Sequence, residues 1–542
     1  MAKSPKPDIL LIVLDTLRAD RLSCYGHPQT TTPNLDAFAA KSTLFERAIS
    51  PAQWTIPAHG SLFTGEYPTT HLTHQIYDTH SPAYTTLAEH LSAAGYNTVG
   101  FCNNPLLGVV NNGLDRGFQE FYNYGGTVPQ RPQTMQKHGK ARNQLVRTAS
   151  HLLEKINEPA QHLLTRTPWI LNMMLHPWLV SMWEKRIHFK GNTQQSITDL
   201  IGYLKARQGK RERRPIFTYL NLMQTHLPYT PPKPFIDKFA PIFQEERAAR
   251  DFMRSYNNET YRWITPVTEP FTTLQHETLN AMYNAEVAYE DALLTQLLAY
   301  LDKPKVRDNT LVIITADHGE GLDHHNFVGH SLVTYEDLIR VPLIIRYPPQ
   351  YAAGQRVSAP VSTRRIFHTV LHAAGVHTTA GHTAAVYPAA TKPQSDQKAL
   401  LASEVHTLSL SNITLDDLVL SEAYPPLTMV NLMESRNPEA IETFRCRAVR
   451  RAIYAPPPDH NYKLITIDGH PDELFDVSKD PGELRNLLHN HDETAAKLKQ
   501  LINAQLAQAQ ARRITNQQPS ETVHLEGNKK LQERLRGLGY IN

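Results

Sequence analysis

Two motifs in this sequence carry residue types that can bind a divalent cation. The first is Asp317-His318-Gly319-Glu320, where a carboxylate and an imidazole stand side by side ahead of a glycine turn. The second is Asp15, which directly follows an apolar run. Carboxylate oxygen and imidazole nitrogen together suit a borderline divalent cation. A single Asp after a strand is more often a turn former, so the predicted metal site depends on the two motifs meeting.

Thr55 is the candidate nucleophile, in the segment Thr55-Ile56-Pro57-Ala58-His59. Threonine followed closely by proline is also an ordinary helix N-cap, and that interpretation stays open. The two interpretations are compatible, because a helix N-terminus stabilises an alkoxide and an incoming anion. A threonine hydroxyl is a weak nucleophile, and coordination to a metal activates it. His59 lies one turn later on the same helical face and can reach the same anion.

The elements that must position these residues follow an α/β pattern. Short apolar runs predict strands buried on both faces, which are typical of a mostly parallel sheet. Ligands bind outside the carboxyl ends of such strands, so Asp15, His226 and Asp317 should meet at one rim. The predicted strands cover residues 9–14, 96–101, 216–222, 310–315 and 342–346, and the predicted helices cover residues 34–41, 86–94, 279–301 and 364–374.

Composition restricts the class of protein. A chain of 542 residues predicts one large domain and a smaller one, and 41% hydrophobic with 20% charged residues is typical of a globular protein. The net charge of +3 gives no indication of nucleic-acid binding. Three scattered cysteines exclude a disulfide scaffold and fit a reducing compartment. The apolar run at residues 9–14 is shorter than a signal peptide needs, so we expect a cytoplasmic protein.

The stretch 129–214 interrupts the α/β pattern. Its residues 168–183 carry three tryptophans and three methionines, and they are too few to cross a bilayer. They predict an insertion helix packed on the main domain. The alternatives are a cap over an apolar substrate, a membrane-surface contact or an oligomer contact. We predict a catalytic domain at 1–384 that includes this insertion, and a smaller domain at 398–542 with a hairpin over 462–477 and terminal helices.

Taken together, these motifs resemble the sulfatase family of the alkaline phosphatase superfamily. The resemblance implies a three-layer α/β sandwich with a mostly parallel mixed sheet, a smaller C-terminal α+β domain and hydrolase activity. The segments that carry it are Asp15-Thr16-Leu17-Arg18-Ala19-Asp20, Thr32-Pro33-Asn34-Leu35-Asp36, Thr55-Ile56-Pro57 with Thr64-Gly65, Asp317-His318-Gly319, Gly329-His330, Tyr335-Glu336, Arg340-Val341-Pro342, Glu473-Leu474-Phe475-Asp476, Asp480-Pro481, Glu483 and Asn486-Leu487.

The resemblance also implies roles for individual residues. Metal ligands would be Asp15, Asp317 and His318, with Thr55 as nucleophile at or near the ion. The anion or leaving group would be contacted by His59, His226 and His330, and more weakly by Asn104.

The sequence departs from the sulfatase pattern around the nucleophile. Sulfatases convert a Cys or Ser at the position of Thr55 to formylglycine, and threonine is not a substrate for that conversion. His59 stands where sulfatases have Arg, Thr16 where the family has a second Asp, and His318 where Asn is commoner. This pattern is similar to Thr-dependent members, the phosphoethanolamine transferases and the phosphodiester or phosphonate hydrolases. Leu222 stands where two-zinc phosphodiesterases carry Asp, so we expect one catalytic metal.

We therefore predict a hydrolase that uses one divalent metal ion, which can be zinc, manganese or calcium. Its substrate would be a small-molecule or lipid-headgroup ester, with phosphoesters favoured over sulfuric esters. A sulfatase that works without formylglycine and a phosphoethanolamine-type transferase are the alternatives within the family. A non-catalytic binding protein on the same fold is the alternative of another class, since a fold alone does not establish activity. The oligomeric state stays open.

Overall fold

A computed structural model describes residues 6–125, 190–208, 213–259, 263, 270–376, 405–412, 418–456, 459 and 461–512. Its strands form a nine-stranded sheet, a four-stranded sheet and a two-stranded ribbon. In chain order they are β1 Asp8–Leu14, β2 Thr43–Ile49, β3 Asn97–Cys102, β4 Glu120–Asn123, β5 Ile216–Leu222, β6 Thr310–Thr315, β7 Gly321–Leu322, β8 Val328–Gly329, β9 Arg340–Arg346, β10 Arg356–Val357, β11 Val361–Ser362, β12 Leu420–Ala423, β13 Arg450–Tyr454, β14 Tyr462–Ile467 and β15 Glu473–Asp476.

The described helices surround these sheets. They are α1 Pro33–Ala39, α2 Thr55–Thr64, α3 Pro68–His71, α4 Leu87–Ala93, α5 Thr193–Gln208, α6 Lys233–Phe239, α7 Pro241–Glu245, α8 Arg247–Asn258, α9 Thr273–Leu301, α10 Pro304–Arg307, α11 Glu336–Ile339, α12 Arg365–Ala373, α13 Leu427–Arg436, α14 Pro438–Thr443 and α15 Asp492–Arg512. None of the helices in the described ranges is long and apolar enough to cross a membrane.

The large sheet has the strand order β10-β2-β9-β6-β1-β5-β3-β4, with β11 also pairing with β2. Strand β1 lies at its centre and runs parallel to β5 and β6 on its two sides. Strand β9 runs antiparallel to both β2 and β6. All seven residues of β1 are buried, so both faces of the sheet are covered. The five predicted strands are confirmed, and so is the mostly parallel mixed α/β sheet.

The smaller sheet has the antiparallel order β12-β13-β14-β15. The predicted hairpin is confirmed, because β14 pairs with β15 and Tyr462 lies opposite Asp476. Apolar side chains of both regions pack in one cluster, among them Ile49 and Leu338 of the large sheet's side and Ile465 of β14. The predicted boundary between residues 384 and 398 lies outside the described residues, so the division into two domains stays a prediction.

The predicted insertion 129–214 is described only in its last part. Residues 168–183, with the tryptophans and methionines, lie outside the described ranges. Helix α5, which falls inside the predicted insertion, packs into the main core through Ile197 and Leu200, both fully buried. The end of the stretch therefore belongs to the main fold, because α5 leads directly to β5.

Candidate active site and metal centre

Three buried side chains meet at the carboxyl end of the large sheet. Asp15 directly follows β1, and Asp317 and His318 follow β6, the neighbouring parallel strand. One ligand atom from each lies within 4.8 Å of the others. Within the described part of the chain, these three residues are the group of His, Cys, Asp or Glu side chains that could hold a metal ion. The predicted meeting of the two motifs is thus observed, and next to Asp15 the backbone N–H of Thr16 bonds Asp317 across 301 positions of sequence.

In each of the two carboxylates, one oxygen accepts hydrogen bonds from the protein and the other oxygen is left for a ligand. Asp15 Oδ2 accepts hydrogen bonds from Asn104 Nδ2 at 2.8 Å and Asn221 Nδ2 at 3.4 Å. Asp317 Oδ1 accepts from the backbone N–H of Thr16 at 3.3 Å and of His318 at 3.0 Å. Asp15 Oδ1 and Asp317 Oδ2 are buried without a hydrogen-bond donor. Buried oxygens of this kind are costly unless a cation or a proton binds them.

His318 completes the donor set through its ring orientation. Its Nδ1–H donates to the carbonyl oxygen of Gly319 at 2.8 Å, which leaves the lone pair on Nε2. Nε2 lies 3.4 Å from Asp317 Oδ2. Two carboxylate oxygens and one imidazole nitrogen fit a divalent cation such as zinc or manganese. The sulfatase-type prediction of a metal here therefore fits the residues present.

The electrostatics of the cluster favour a bound cation. Burial raises the pKa of Asp15 to about 7, and the nearby charge of Asp317 adds to the effect. Burial likewise raises the pKa of Asp317 to about 7. Burial lowers the pKa of His318 to about 4, so its imidazole is neutral and able to act as a ligand. Two adjacent carboxylates are expensive to ionise together in a dry site, and a divalent ion removes that cost.

Thr55 is the first helical residue of α2, and its hydroxyl faces this cluster. Its Oγ1 lies 3.3 Å from His318 Nε2, and the residue is fully buried. The N-cap position is occupied by Trp54, whose backbone is extended. The interpretation of Thr55 as an N-cap is therefore wrong by one residue. The hydroxyl stands at the positive end of the helix dipole, beside the metal-binding atoms.

His59 lies beneath Thr55 with both ring nitrogens bonded to protein atoms. Nδ1 lies 2.9 Å from the Thr55 carbonyl oxygen, and Nε2 lies 2.8 Å from the Tyr219 hydroxyl. Nδ1 is also 3.6 Å from Asp317 Oδ2. Burial lowers the pKa of His59 to about 3, so the ring is neutral. This geometry indicates that His59 stabilises the helical turn that carries Thr55. Its direct contact with the substrate anion stays a prediction.

His226 and His330 lie together beside the cluster. Their ring centroids are 5.0 Å apart, and the His330 ring is 4.6 Å from that of His318. His226 Nδ1 donates to the Leu227 carbonyl oxygen at 2.8 Å, and burial lowers its pKa well below the ordinary value. His330 Nδ1 is 2.9 Å from Glu320 Oε1. Burial lowers the pKa of His330, but the carboxylates of Glu320, Asp15 and Asp317 together outweigh this effect and raise it.

Asn104 and Thr16 take part in the site through the carboxylates. Asn104 bonds Asp15 through its side-chain N–H, so the structure places it behind a candidate metal ligand. Its predicted contact with the substrate anion stays a prediction. Thr16 has a φ of 60°, a left-handed conformation that is unusual for a β-branched residue. This conformation aims the Thr16 N–H at Asp317, while its hydroxyl bonds the Asp15 carbonyl oxygen at 2.6 Å.

Sequence reasoning did not assign a role to three residues that support the site. Asn221 bonds Asp15, Tyr219 bonds His59, and Glu320 bonds His330. The sequence does give a signal for Asn221, because its amide is unusual in a fully buried strand of mostly apolar residues. Glu320 stands in the motif with Asp317 and His318, which indicates only its proximity. Tyr219 gives no signal, because tyrosine is common in strands.

The comparisons with known proteins indicate one family for this chain. The sulfatase family model matches residues 7–376. An arylsulfatase of Clostridium perfringens is 23% identical over 505 residues, which cover 90% of this chain and 91% of that protein.

Solved structures of related shape include two phosphonate monoester hydrolases. The one from Agrobacterium radiobacter has a TM-score of 0.61 and 20% identity, and the match covers 93% of this chain and 96% of that one. The one from Silicibacter pomeroyi has a TM-score of 0.60 and 19% identity, and the match covers 94% and 96%. Likeness at this identity shows the fold. Members of the family generally bind a divalent metal ion, for which the cluster at the sheet rim is the candidate site. The chain belongs to the sulfatase family of the alkaline phosphatase superfamily and is a hydrolase of sulfuric or phosphoric esters.

Proposed function

We propose that the preferred substrates are phosphoric or phosphonic esters and that the reaction passes through a covalent intermediate on Thr55. The observation that carries this proposal is the residue type and position of Thr55. It is a threonine at the start of α2, with its hydroxyl 3.3 Å from His318 Nε2 in the metal cluster. A threonine cannot be converted to the formylglycine on which ordinary sulfatases depend, so its own oxygen must attack.

The first step would displace the leaving group in line. A divalent ion held by Asp15, Asp317 and His318 would supply Lewis acidity, lowering the pKa of the Thr55 hydroxyl and neutralising the anionic ester. Thr55 Oγ1 forms a bond to phosphorus while the bond from phosphorus to the leaving oxygen breaks. The N-terminus of α2 and the His330 side chain, held by Glu320, stabilise the negative charge that develops.

The proton balance falls to His226. In the first step, His226 Nε2 accepts the proton of the Thr55 hydroxyl as Oγ1 attacks, and passes it to the leaving oxygen. In the second step, water attacks phosphorus and gives a proton to the same nitrogen, which passes it to Thr55 Oγ1 as the bond from phosphorus to that oxygen breaks. The Leu227 carbonyl oxygen holds the proton on Nδ1, so exchange takes place at Nε2. In each step the same residue thus acts as base and then as acid, and its ring is neutral before and after, in keeping with its lowered pKa.

A second candidate function is a sulfatase that works without formylglycine. It is favoured by the similarity to the Clostridium arylsulfatase along 90% of this chain. The same residues would act on a sulfuric ester, with sulfur in place of phosphorus. A transferase is the third candidate, and it differs only in that an acceptor hydroxyl replaces water in the second step. The substrate would be a small-molecule or lipid-headgroup ester in each case. The imidazole ligand supports zinc or manganese over calcium, which takes oxygen ligands.

The test combines a substrate panel with a nucleophile variant. Nitrophenyl esters of sulfate, phosphate, a phosphate diester and a phosphonate are assayed with zinc, manganese or calcium added back. We expect the phosphoric or phosphonic esters to be turned over fastest. Thr55→Ala should lower kcat by about 10³-fold or more while bound metal is retained, as expected for loss of a group on which the whole reaction depends. Acid-quenched wild-type enzyme should carry phosphate on Thr55.

Thr64→Ala is the matched control, because Thr64 lies in the same helix and its hydroxyl bonds backbone groups, donating to the Gly60 carbonyl oxygen at 2.6 Å and accepting from the Glu66 N–H at 3.4 Å. Its turnover should stay near that of the wild type. Turnover near wild type in Thr55→Ala would refute the nucleophile. Faster turnover of the sulfate ester would refute the substrate class and leave the nucleophile standing.

A further inference from the structure

The loop that carries His226 is hydrogen-bonded at both ends to one buried side chain of α9. This side chain is Glu286, which is fully buried. Its Oε2 accepts a hydrogen bond from Gln224 Nε2 at 2.7 Å, two residues before His226. Its Oε1 accepts from the backbone N–H of Thr230 at 2.6 Å, four residues after His226. The carboxylate therefore spans the loop on which the catalytic histidine sits.

Lys190 adds a charge to the same fastening. Its Nζ lies 3.0 Å from Glu286 Oε1 and donates to the Gln224 carbonyl oxygen at 2.8 Å. The Lys190 side chain is only 11% exposed, so this is a buried ion pair. Removing one member of such a pair leaves the other charge uncompensated, so the pair fixes the loop strongly. The ammonium also lies over the ring of Tyr229, 5.8 Å from its centroid.

The same loop reaches the second histidine of the site. Tyr229 donates its hydroxyl hydrogen to Glu320 Oε2 at 3.2 Å, and Glu320 Oε1 is bonded to His330. A carboxylate on α9 thus lies behind both His226 and His330 without contacting either. One turn further along α9, Glu290 lies 3.2 Å from the hydroxyl of Thr225, the residue directly before His226.

We propose that Glu286 is a positioning residue that, with Lys190, holds His226 where it exchanges a proton with the leaving group. This rests on the proposed function, in which His226 protonates the leaving oxygen. Displacing His226 should lower the reaction rate most for an ester with a poor leaving group, because such a group depends most on protonation. A merely structural role of Glu286 would lower the turnover of all esters alike. The dependence of the rate on the leaving group therefore separates the two roles.

The experiment uses two esters with the same transferred group, one with 4-nitrophenol and one with phenol as the leaving group. Their acid moiety is the one that the substrate panel identifies. Glu286→Gln keeps the shape of the side chain but removes the charge that faces Lys190. We expect kcat/KM to fall about 30-fold or more for the phenyl ester and less than about 3-fold for the nitrophenyl ester, as general acid catalysis contributes roughly 10²–10⁴-fold.

Asp291→Asn is the matched control. Asp291 is also a buried carboxylate of α9, but it accepts hydrogen bonds from the backbone of Asn34 and Leu35 at the start of α1. Its replacement should lower both activities by the same factor or leave both unchanged. A change in the ratio of the two activities in Asp291→Asn as large as in Glu286→Gln would overturn the proposal.

A double variant shows whether Glu286 acts through His226. His226→Ala should itself lower phenyl ester turnover selectively, and adding Glu286→Gln should then change the ratio of the two activities by less than about 2-fold. If Glu286→Gln changes the ratio of the two activities as much in the His226→Ala background as in the wild type, the proposal is overturned. If His226→Ala lowers both activities equally, the proposed role of His226 fails and this inference fails with it. If His226→Ala is selective and Glu286→Gln is not, only the inference fails.

Discussion

Buried carboxylates occur in two clusters of this protein that can be compared directly. At the rim of the large sheet, Asp15 and Asp317 lie beside each other and beside neutral histidines. Between the two sheets, Glu336 and Glu483 lie around Lys463, whose Nζ is 3.4 Å and 2.6 Å from their carboxylate oxygens.

The difference appears in the pKa values. At the rim, burial raises the pKa of Asp15 and Asp317 to about 7. In the second cluster, burial raises the pKa of Glu483 to about 8, whereas Lys463 together with Arg340 and Arg47 outweighs burial and holds the pKa of Glu336 below its ordinary value. One of these two carboxylates is therefore stabilised in its charged form by cations of the chain itself. The second cluster therefore takes its cation, Lys463, from the chain, whereas the first is the candidate site for a metal ion. Burial of charge by itself does not distinguish a functional site from a structural one; the source of the opposite charge does.

Of the changes that test this comparison, replacing a rim carboxylate should have the largest effect. Asp317→Asn removes one oxygen that we expect to bind the metal and the mutual repulsion with Asp15. We expect kcat/KM to fall about 10³-fold, since metal stabilisation of the transition state is worth several kcal/mol. Bound metal, measured by elemental analysis, should fall together with activity, while thermal stability without metal should not fall. Loss of activity with full metal content would contradict the assignment of Asp317 as a ligand.

Replacing Lys463, the buried cation of the second cluster, should lower the stability of the protein and leave the rate of the reaction unchanged. Lys463→Met leaves Glu336 and Glu483 buried without their partner, so the free energy of unfolding should fall by about 3–5 kcal/mol. Urea unfolding measures the change, and kcat/KM of the folded fraction should stay within about 2-fold of the wild type. A variant in which both glutamates also become glutamine should recover part of the stability. Loss of bound metal in Lys463→Met would contradict the conclusion that the two clusters have separate roles.

The smallest effect concerns pH and the metal-free protein. The folded pKa values of Asp15 and Asp317, about 7, exceed the ordinary value near 3.9, so the folded state binds more protons between these limits. The stability of the metal-free protein should therefore fall as pH rises from about 4 to about 7. A divalent ion displaces those protons, so its stabilising effect should grow over the same range and reach about 3 °C or more in Tm near pH 7 at 100 times its Kd. Thermal melts with chelator or metal at several pH values test this, and Lys463→Met should keep the same trend.

Much of the site could be predicted because its main residues follow strands. Asp15, Asp317 and His318 stand directly after apolar runs, and a parallel sheet brings such positions together regardless of their separation along the chain. Thr55 could be identified as a candidate from its residue type, but its place at the first helical position depends on the extended backbone of Trp54. No local pattern predicts that backbone.

The supporting residues could not be predicted, because their roles arise from contacts between distant segments. Glu286 lies on a long helix that packs on the sheet, and nothing in its sequence neighbourhood points to the loop around His226. Strand β2 was also missed; Glu46 and Arg47 interrupt its apolar pattern, and tertiary pairing with β9 decides its conformation. Local propensity identifies the ends of elements better than the partners that they meet.

The central position of β1 has a consequence for how the protein is made. Strand β1 is synthesised before its neighbour β6, which follows roughly 300 residues later, a delay of about 15–60 s on a ribosome adding about 5–20 residues per second. Throughout that interval one hydrogen-bonding edge of β1 is without its native partner, and Asp15 is without Asp317 and His318. A nascent chain therefore cannot form the complete metal cluster before β6 has emerged. Its open strand edge is the place where a chaperone would be needed, because unpaired edges invite aggregation.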